Sequence, residues 1–245
     1  MPEPVLAWHV VDAGTGEGLV SERPDEVLRT ASVAKVLVLS ALARALEDGS
    51  VDPGEVLSRS VTPRVADSGL WHLMDVDALP VGDVAALVGS VSDNWATNVL
   101  VERLGLAAVD DHDLQHTHLH DLVRDHRGPD DAPTLSSGTA REWAGVMAAL
   151  HRGTWVSPTV SARVLGWLAA GVDHSLVASA FGRDPLVVDA GLATKTGADA
   201  DVRCEVGLVT GTARVAAYAC LGNGDPAVLV PRLRALGEQV RGLVR

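Results

Sequence analysis

Where the strand-like and helix-like segments fall along the chain sets the first limit on its fold. Short β-branched runs lie at both ends, and helical patterns fill the middle. Near the start, Val5-Leu6-Ala7-Trp8-His9-Val10-Val11 reads as a strand, Asp12 to Gly18 as turn chemistry, and Leu19-Val20-Ser21-Glu22 as a return strand. In the last third, Leu186-Val187-Val188, Ala190 to Lys195, Glu205 to Val209 and Arg214 to Leu221 read as strands. Thr210-Gly211-Thr212 turns between the last two, and Val228 to Val240 closes the chain as a helix. The middle predicts a helix from Ser32 to near Gly49 and a second from Leu79 to Val88 with Pro80 in its first turn. A break follows at Gly89-Ser90-Val91, and then come helices over Asn94–Leu104, Thr139–His151 and Ser157–Ala169. No βαβ alternation is present. The expected fold class is therefore α+β, an antiparallel sheet from both chain ends flanked by helices, with a second, all-helical lobe. One domain over 1–245 is expected, with an α/β lobe at about 1–45 and 175–245 and a helical lobe at about 46–174.

Composition removes several classes of function. Of 245 residues, 47% are hydrophobic, enough for a large core. The formal net charge of -12 repels nucleic acid and anionic membrane surfaces. No apolar run reaches 18 residues, so no membrane-spanning helix is expected. The first residues lack the basic and apolar regions of a secretory signal, which as the sequence stands favours the cytoplasm, or secretion if a leader has been removed. Cys204 and Cys220 form neither a disulfide framework nor a zinc pattern and read as buried free thiols.

Three short motifs carry the chemistry. Ser32-Val33-Ala34-Lys35 stands at a helix start, where residues three apart share a face. A serine hydroxyl becomes a nucleophile when a base takes its proton, and a lysine serves as that base once desolvation or nearby positive charge lowers its pKa. Ser92-Asp93-Asn94 occupies the turn between two helices, and Lys195-Thr196-Gly197 ends a strand. Each alone is a weak signal, but all three in this order are a strong one.

With these motifs the chain resembles the penicillin-recognising serine hydrolases, and most of all the class A β-lactamases. Their separations of 60 and 103 residues also resemble that class. Trp8 to Gly16 is similar to the family's first strand and turn, and Ser92 to Leu100 followed by Glu102-Arg103-Leu104-Gly105 is similar to its central helix. The resemblance implies an acyl-serine mechanism that opens a β-lactam amide. Ser32 would be the nucleophile, Lys35 its base, directly or through water, and Ser92 the proton relay to the leaving nitrogen. Asn94 would bind the substrate's amide side chain, and Lys195, Thr196 and Gly197 its carboxylate. The backbone N–H groups of Ser32 and Ala198 would form the oxyanion hole, and Trp71 would line the cleft entrance. Arg203 reads as a turn arginine near a carboxylate-binding strand. No cofactor is implied. The partner is a small-molecule β-lactam or related amide or ester, and a monomer is favoured.

One element of the family pattern is missing. Class A enzymes release the acyl group with a loop glutamate in a Glu-x-x-Leu-Asn run. The corresponding stretch here, 114–126, contains no Glu. Thr117-x-Leu119 resembles the opening of that loop and places Val123 near the glutamate's position. Asp121, Asp125 and His120 remain as candidate deacylation bases. His116, His118 and His120 alternate onto one side of an extended segment, as metal ligands can, but the stretch reads as a solvated acidic-histidine loop, and no metal is expected. Slow deacylation follows from the missing glutamate. The alternatives are a DD-peptidase or esterase with the same acylation machinery, and a penicillin-binding module that does not hydrolyse its adduct.

Overall fold

The computed structural model describes residues 3–65, 68–188 and 191–245. Strand β1 (Val5–Asp12) turns back into β2 (Gly18–Glu22), with Asp12 Oδ1 accepting from the N–H groups of Gly14 and Thr15. The two-residue β3 (Leu28–Arg29) leads to a 3-10 turn over Ala31–Ala34 and then to helix α1 (Lys35–Asp48), closed by Gly49 at φ 80. Strand β4 (Val56–Ser58) pairs with β5 (Ala78–Pro80) across an irregular excursion. Helices α2 (Val81–Val91), α3 (Asn94–Leu104) and the short α4 (Leu106–Val109) follow. A long loop is framed by β6 (His118–Leu119) and β7 (Ser136–Gly138). Helices α5 (Ala140–Arg152) and α6 (Pro158–Ala169) precede the last three strands, β8 (Leu192–Asp199), β9 (Val202–Thr210) and β10 (Val215–Asn223). Helix α7 (Pro226–Leu243) ends the chain.

The main sheet has the order β2-β1-β10-β9-β8, and every neighbouring pair is antiparallel. The first strand lies against the last, as the α+β reading required. Trp8 pairs with Cys220 and Lys195 with Val206, so the two chain ends close one surface. Both faces are covered. One packs on α1, α5 and the helices beyond, through Val33, Leu37, Trp143, Met147, Val206 and Leu221. The other packs on α7 and a 3-10 turn at Val177–Phe181, through Val10, Val177, Tyr218, Leu229 and Leu233. Cys204 and Cys220 are buried free thiols, and burial pushes the Cys204 thiol up to about 12.

Some segments differ from the sequence reading. The expected division put residues 140–152 with the helices, but α5 lies across the sheet against β1, β9 and β10. The expected break at Gly89-Ser90-Val91 is helix. A Cβ on Gly89 would stand 2.6 Å from the Trp167 carbonyl, so this glycine serves close packing of α2 on α6 rather than ending α2. The turn comes at Ser92, at φ 56. Leu186-Val187-Val188 is no strand: Leu186 is 84% exposed and the run sits in a turn after Pro185. Ala190, expected to begin a strand, lies outside the described residues, and β8 starts at Leu192.

Candidate active site

The three motifs meet at one cavity of about 410 Å³ between the sheet edge and the helices. Ser32 sits in the 3-10 turn rather than inside α1, and Lys35 is the first residue of that helix. Residues i and i+3 eclipse in a 3-10 turn, so Ser32 and Lys35 stay on one edge. The turn is strained. Ala31 has φ 47, a conformation that costs on the order of 1–3 kcal/mol for a residue with a Cβ. Its surroundings hold it there: Ser136 Oγ donates to Ala31 O at 2.8 Å and lies 2.8 Å from Thr30 Oγ1. On the other side Gly197 fits against the turn, where a Cβ would meet Thr30 O at 2.2 Å. Glycine there lets β8 lie against the turn, which brings Ala198 and Ser32 to the same cavity wall.

Lys35 is fully buried. Its Nζ lies 2.5 Å from Ser92 O, 2.7 Å from Asn94 Oδ1 and 3.1 Å from Ser92 Oγ, within hydrogen-bond distance of each. Among the described residues, Ser32 Oγ is not one of its partners; the sequence reading put the two on one face and left the transfer direct or through water. Lys195, also buried, bonds Ser92 Oγ at 2.9 Å and Thr196 O at 2.8 Å. One hydroxyl thus bridges two lysines. Burial, reinforced by the charge of Lys195, holds Lys35 well below the ordinary lysine range. Burial also lowers Lys195, to about 8, against the opposing charges of Asp173 and Glu205. Two ammonium groups on one hydroxyl repel each other, so the bridge is most stable with Lys35 neutral and Lys195 charged. A neutral amine beside a serine hydroxyl, with a second hydroxyl joining it to a cation, can accept, carry and return a proton.

The middle motif divides its work. Ser92 takes its left-handed position at the end of α2. Asp93 turns inward: one oxygen caps α3 at Ala96 N, and the other accepts from Leu70 N and Trp71 N. Asn94 accepts from Lys35. Trp71 does not line the cavity. It is fully buried, donates to Val76 O at 3.0 Å and leans on Trp95 at 6.4 Å. An aromatic residue after Ser-Gly-Leu carries no periodic signal that would separate a packing role from a cleft role.

The loop of residues 120–135 forms the facing wall through Val123, Arg124, Arg127, Thr134 and Leu135. Asn98 clamps Val123 on both sides, donating to Val123 O and accepting from Val123 N, each at 2.8 Å. Of the expected deacylation bases, none lines the cavity. Asp121 is held by Arg124 at 2.8 Å and Arg127 at 2.6 Å and accepts from Leu122 N. Partial burial works against its ionisation, but these donors prevail and keep it below the usual carboxylate range. His120 Nε2 is engaged 2.9 Å from Ser137 Oγ, and Asp125 is exposed. Arg203 bonds the carbonyls of Asp199 and Val202.

The sequence reading missed Asp173 and both loop arginines. Asp173 lines the cavity beside Thr196 and Lys195. Partial desolvation raises its carboxyl, and bonds to Ser175 and Thr196 with the charge of Lys195 lower it further than that. Asp173 belongs to no motif, so only the fold brings it here. Arg124 lies in the 114–126 stretch, where only acids and histidines were candidates, and Arg127 lies one residue beyond it.

Fold and site together define a serine hydrolase of the β-lactamase type. The description "Beta-lactamase enzyme family" matches residues 3–232, and the chain belongs to that family. Among curated proteins, none matches it. Its fold is similar to the solved structure called "Structure of PBP-A", with a TM-score of 0.82, 22% identity, and 99% of this chain and 91% of that one covered. It is also similar to a β-lactamase from Sphaerobacter thermophilus DSM 20745, with a TM-score of 0.79, 24% identity and coverage of 98% and 92%. A class A β-lactamase from Mycobacterium abscessus has a TM-score of 0.79 at 16% identity, with 98% and 93% covered. Among the described residues, no helix is long and apolar enough to cross a membrane.

Proposed function

We propose that Ser32 attacks the amide carbonyl of a β-lactam and forms an acyl-enzyme that is released slowly. The observation that carries the reading is Ser92 Oγ standing 3.1 Å from Lys35 Nζ and 2.9 Å from Lys195 Nζ in the cavity that Ser32 lines. Neutral Lys35 takes the Ser32 proton as the Oγ–C bond forms. The oxyanion sits on the N–H groups of Ser32 and Ala198, where one lost donor costs on the order of 10²–10³ in rate. The C–N bond of the ring then breaks. Ser92 gives its proton to the departing nitrogen and is reprotonated by Lys35, so the proton taken from Ser32 ends on that nitrogen. Charged Lys195, with Thr196, holds the substrate carboxylate, and Asn94 its amide side chain. Hydrolysis of the ester then needs an activated water, and the loop wall opposite offers the side chain of Val123.

A second reading shares the acylation step but takes a D-Ala-D-Ala peptide or an ester as substrate. The apolar Val123 favours it, since fast β-lactam turnover gains from a carboxylate at that wall. One structural neighbour is a PBP-A mutant solved as an acyl-enzyme complex with penicillin G. A chromogenic cephalosporin separates the outcomes. The expected trace is a burst of one equivalent per chain followed by a slow phase, both lost in Ser32→Ala. Neither burst nor turnover, or an unchanged trace in Ser32→Ala, overturns the proposal. Cleavage of a thioester or D-Ala-D-Ala peptide faster than the slow phase favours the second substrate class.

A further inference from the structure

The histidine-rich segment belongs to no step of the acyl chemistry, yet it brings metal-ligand chemistry together. We propose that Asp110, His112 and His118 form a binding site for a divalent transition metal of the zinc type. One ligand atom from each residue lies within 4.8 Å of the other two. His118 Nδ1 is 2.9 Å from Asp110 Oδ2, and His112 Nε2 is 3.3 Å from Asp110 Oδ1. Tetrahedral zinc with bonds of about 2.0–2.1 Å spaces its ligand atoms about 3.3 Å apart, so a metal needs only small shifts.

The second observation is the state of His112. Its side chain is only 7% exposed, and Nε2 has no hydrogen-bond partner among the described residues. A buried imidazole nitrogen aimed at a carboxylate without bonding it costs free energy, and a cation between the two removes that cost. His118 is oriented as a ligating histidine is. Its Nε2 lies 3.2 Å from Gln115 O and can donate there, which leaves Nδ1 directed at Asp110. Leu119 N donates to Asp110 Oδ1 and fixes the carboxylate. The 3.3 Å contact from Leu114 N to His112 Nδ1 is the one the metal form gives up, because Nε2 ligation puts the proton on Nδ1. Two imidazoles and one carboxylate suit Zn(II), with water completing the shell.

These are not the three alternating histidines of the sequence reading. His120 turns to Ser137, and His116 is held through its backbone by Glu142. The site ties the end of α4 to β6, at the root of the loop that carries Val123, so bound metal stiffens that root.

The test is calorimetric titration of the chelator-stripped full chain with zinc chloride. One zinc per chain is expected. His112→Ala and His118→Ala should each weaken binding at least tenfold, while His116→Ala leaves it unchanged. No binding, or affinity indifferent to His112→Ala, overturns the proposal. His118→Ala also removes the bond to Asp110, so X-ray absorption on the unaltered zinc-loaded chain gives a second reading. A shell of nitrogen and oxygen with the outer scattering of two imidazoles supports the site, and a shell without imidazole overturns it.

Discussion

The two walls of the cavity use their polar groups in opposite ways. On the sheet-and-helix wall, Lys35, Ser92, Asn94 and Lys195 form one connected set in the cavity that the Ser32 turn lines. On the loop wall, Asp121 spends itself on its own neighbours, Arg124 and Arg127. What Asn98 clamps into the lining of the same cavity is a valine, Val123. Both walls are tied down by hydrogen bonds, so the difference lies in their chemistry. Under the proposed mechanism, the first wall is equipped for acylation and the second is not equipped for release.

The sharpest way to break this contrast is to disarm the first wall. Lys35→Ala should lower the acylation rate by about 10³-fold, within the range for losing a positioned general base. Pre-steady-state cephalosporin kinetics measure it, with far-ultraviolet circular dichroism to show that the buried cavity left behind is tolerated. Arming the second wall is next. Val123→Glu should shorten the adduct lifetime by about 10²-fold and leave the acylation rate within a few-fold. An unchanged lifetime would mean that the wall lacks more than a carboxylate.

The pH profile tests the two lysines separately. Lys35 must be neutral to act, so acylation falls as pH drops through its lowered pKa. Lys195 must be charged to hold a carboxylate, so acylation efficiency also falls as pH rises through about 8, approaching tenfold per unit beyond it. A Lys195→Arg variant that folds should lose this alkaline limb. A smaller effect comes from behind the sheet. Glu205 is fully buried, accepts from Tyr218 and Ala178, and has its pKa raised to about 8 by burial. The folded chain then holds a proton that the unfolded chain has lost above its own carboxylate pKa, so stability falls as pH rises from there through about 8. Glu205→Gln removes that loss, and its melting temperature should exceed the parent's by about 5 °C at pH 9. The smallest change is expected for Asp121→Asn, which should alter the adduct lifetime by no more than about twofold, because this carboxylate does not face the cavity.

Much of the fold, and several of the residues that meet at the cavity, could be read from the sequence. Ser-x-x-Lys, Ser-Asp-Asn and Lys-Thr-Gly are local patterns; the first two sit at turns, whereas Lys-Thr-Gly, expected to end a strand, lies inside β8, which runs on to Asp199. The helix over Asn94–Leu104 was placed to the residue because Asp93 caps it and Gly105 ends it. The failures share a cause: the deciding contact lies far away in sequence. Gly89 reads as a breaker until the Trp167 backbone lies against it. Leu186-Val187-Val188 has strand composition but no neighbouring strand to pair with among the described residues. Trp71 needed its burial, and Asp173 needed the strand beside it, before either could be assigned.

Time-resolved intact-mass spectrometry with a penicillin, on the parent chain and Val123→Glu side by side, asks both walls the question at once. The expected result is a gain of one penicillin mass on Ser32 in both proteins, persisting in the parent and decaying about 10²-fold faster in the variant. A parent chain that never gains that mass, or that turns penicillin over without accumulating the adduct, contradicts it.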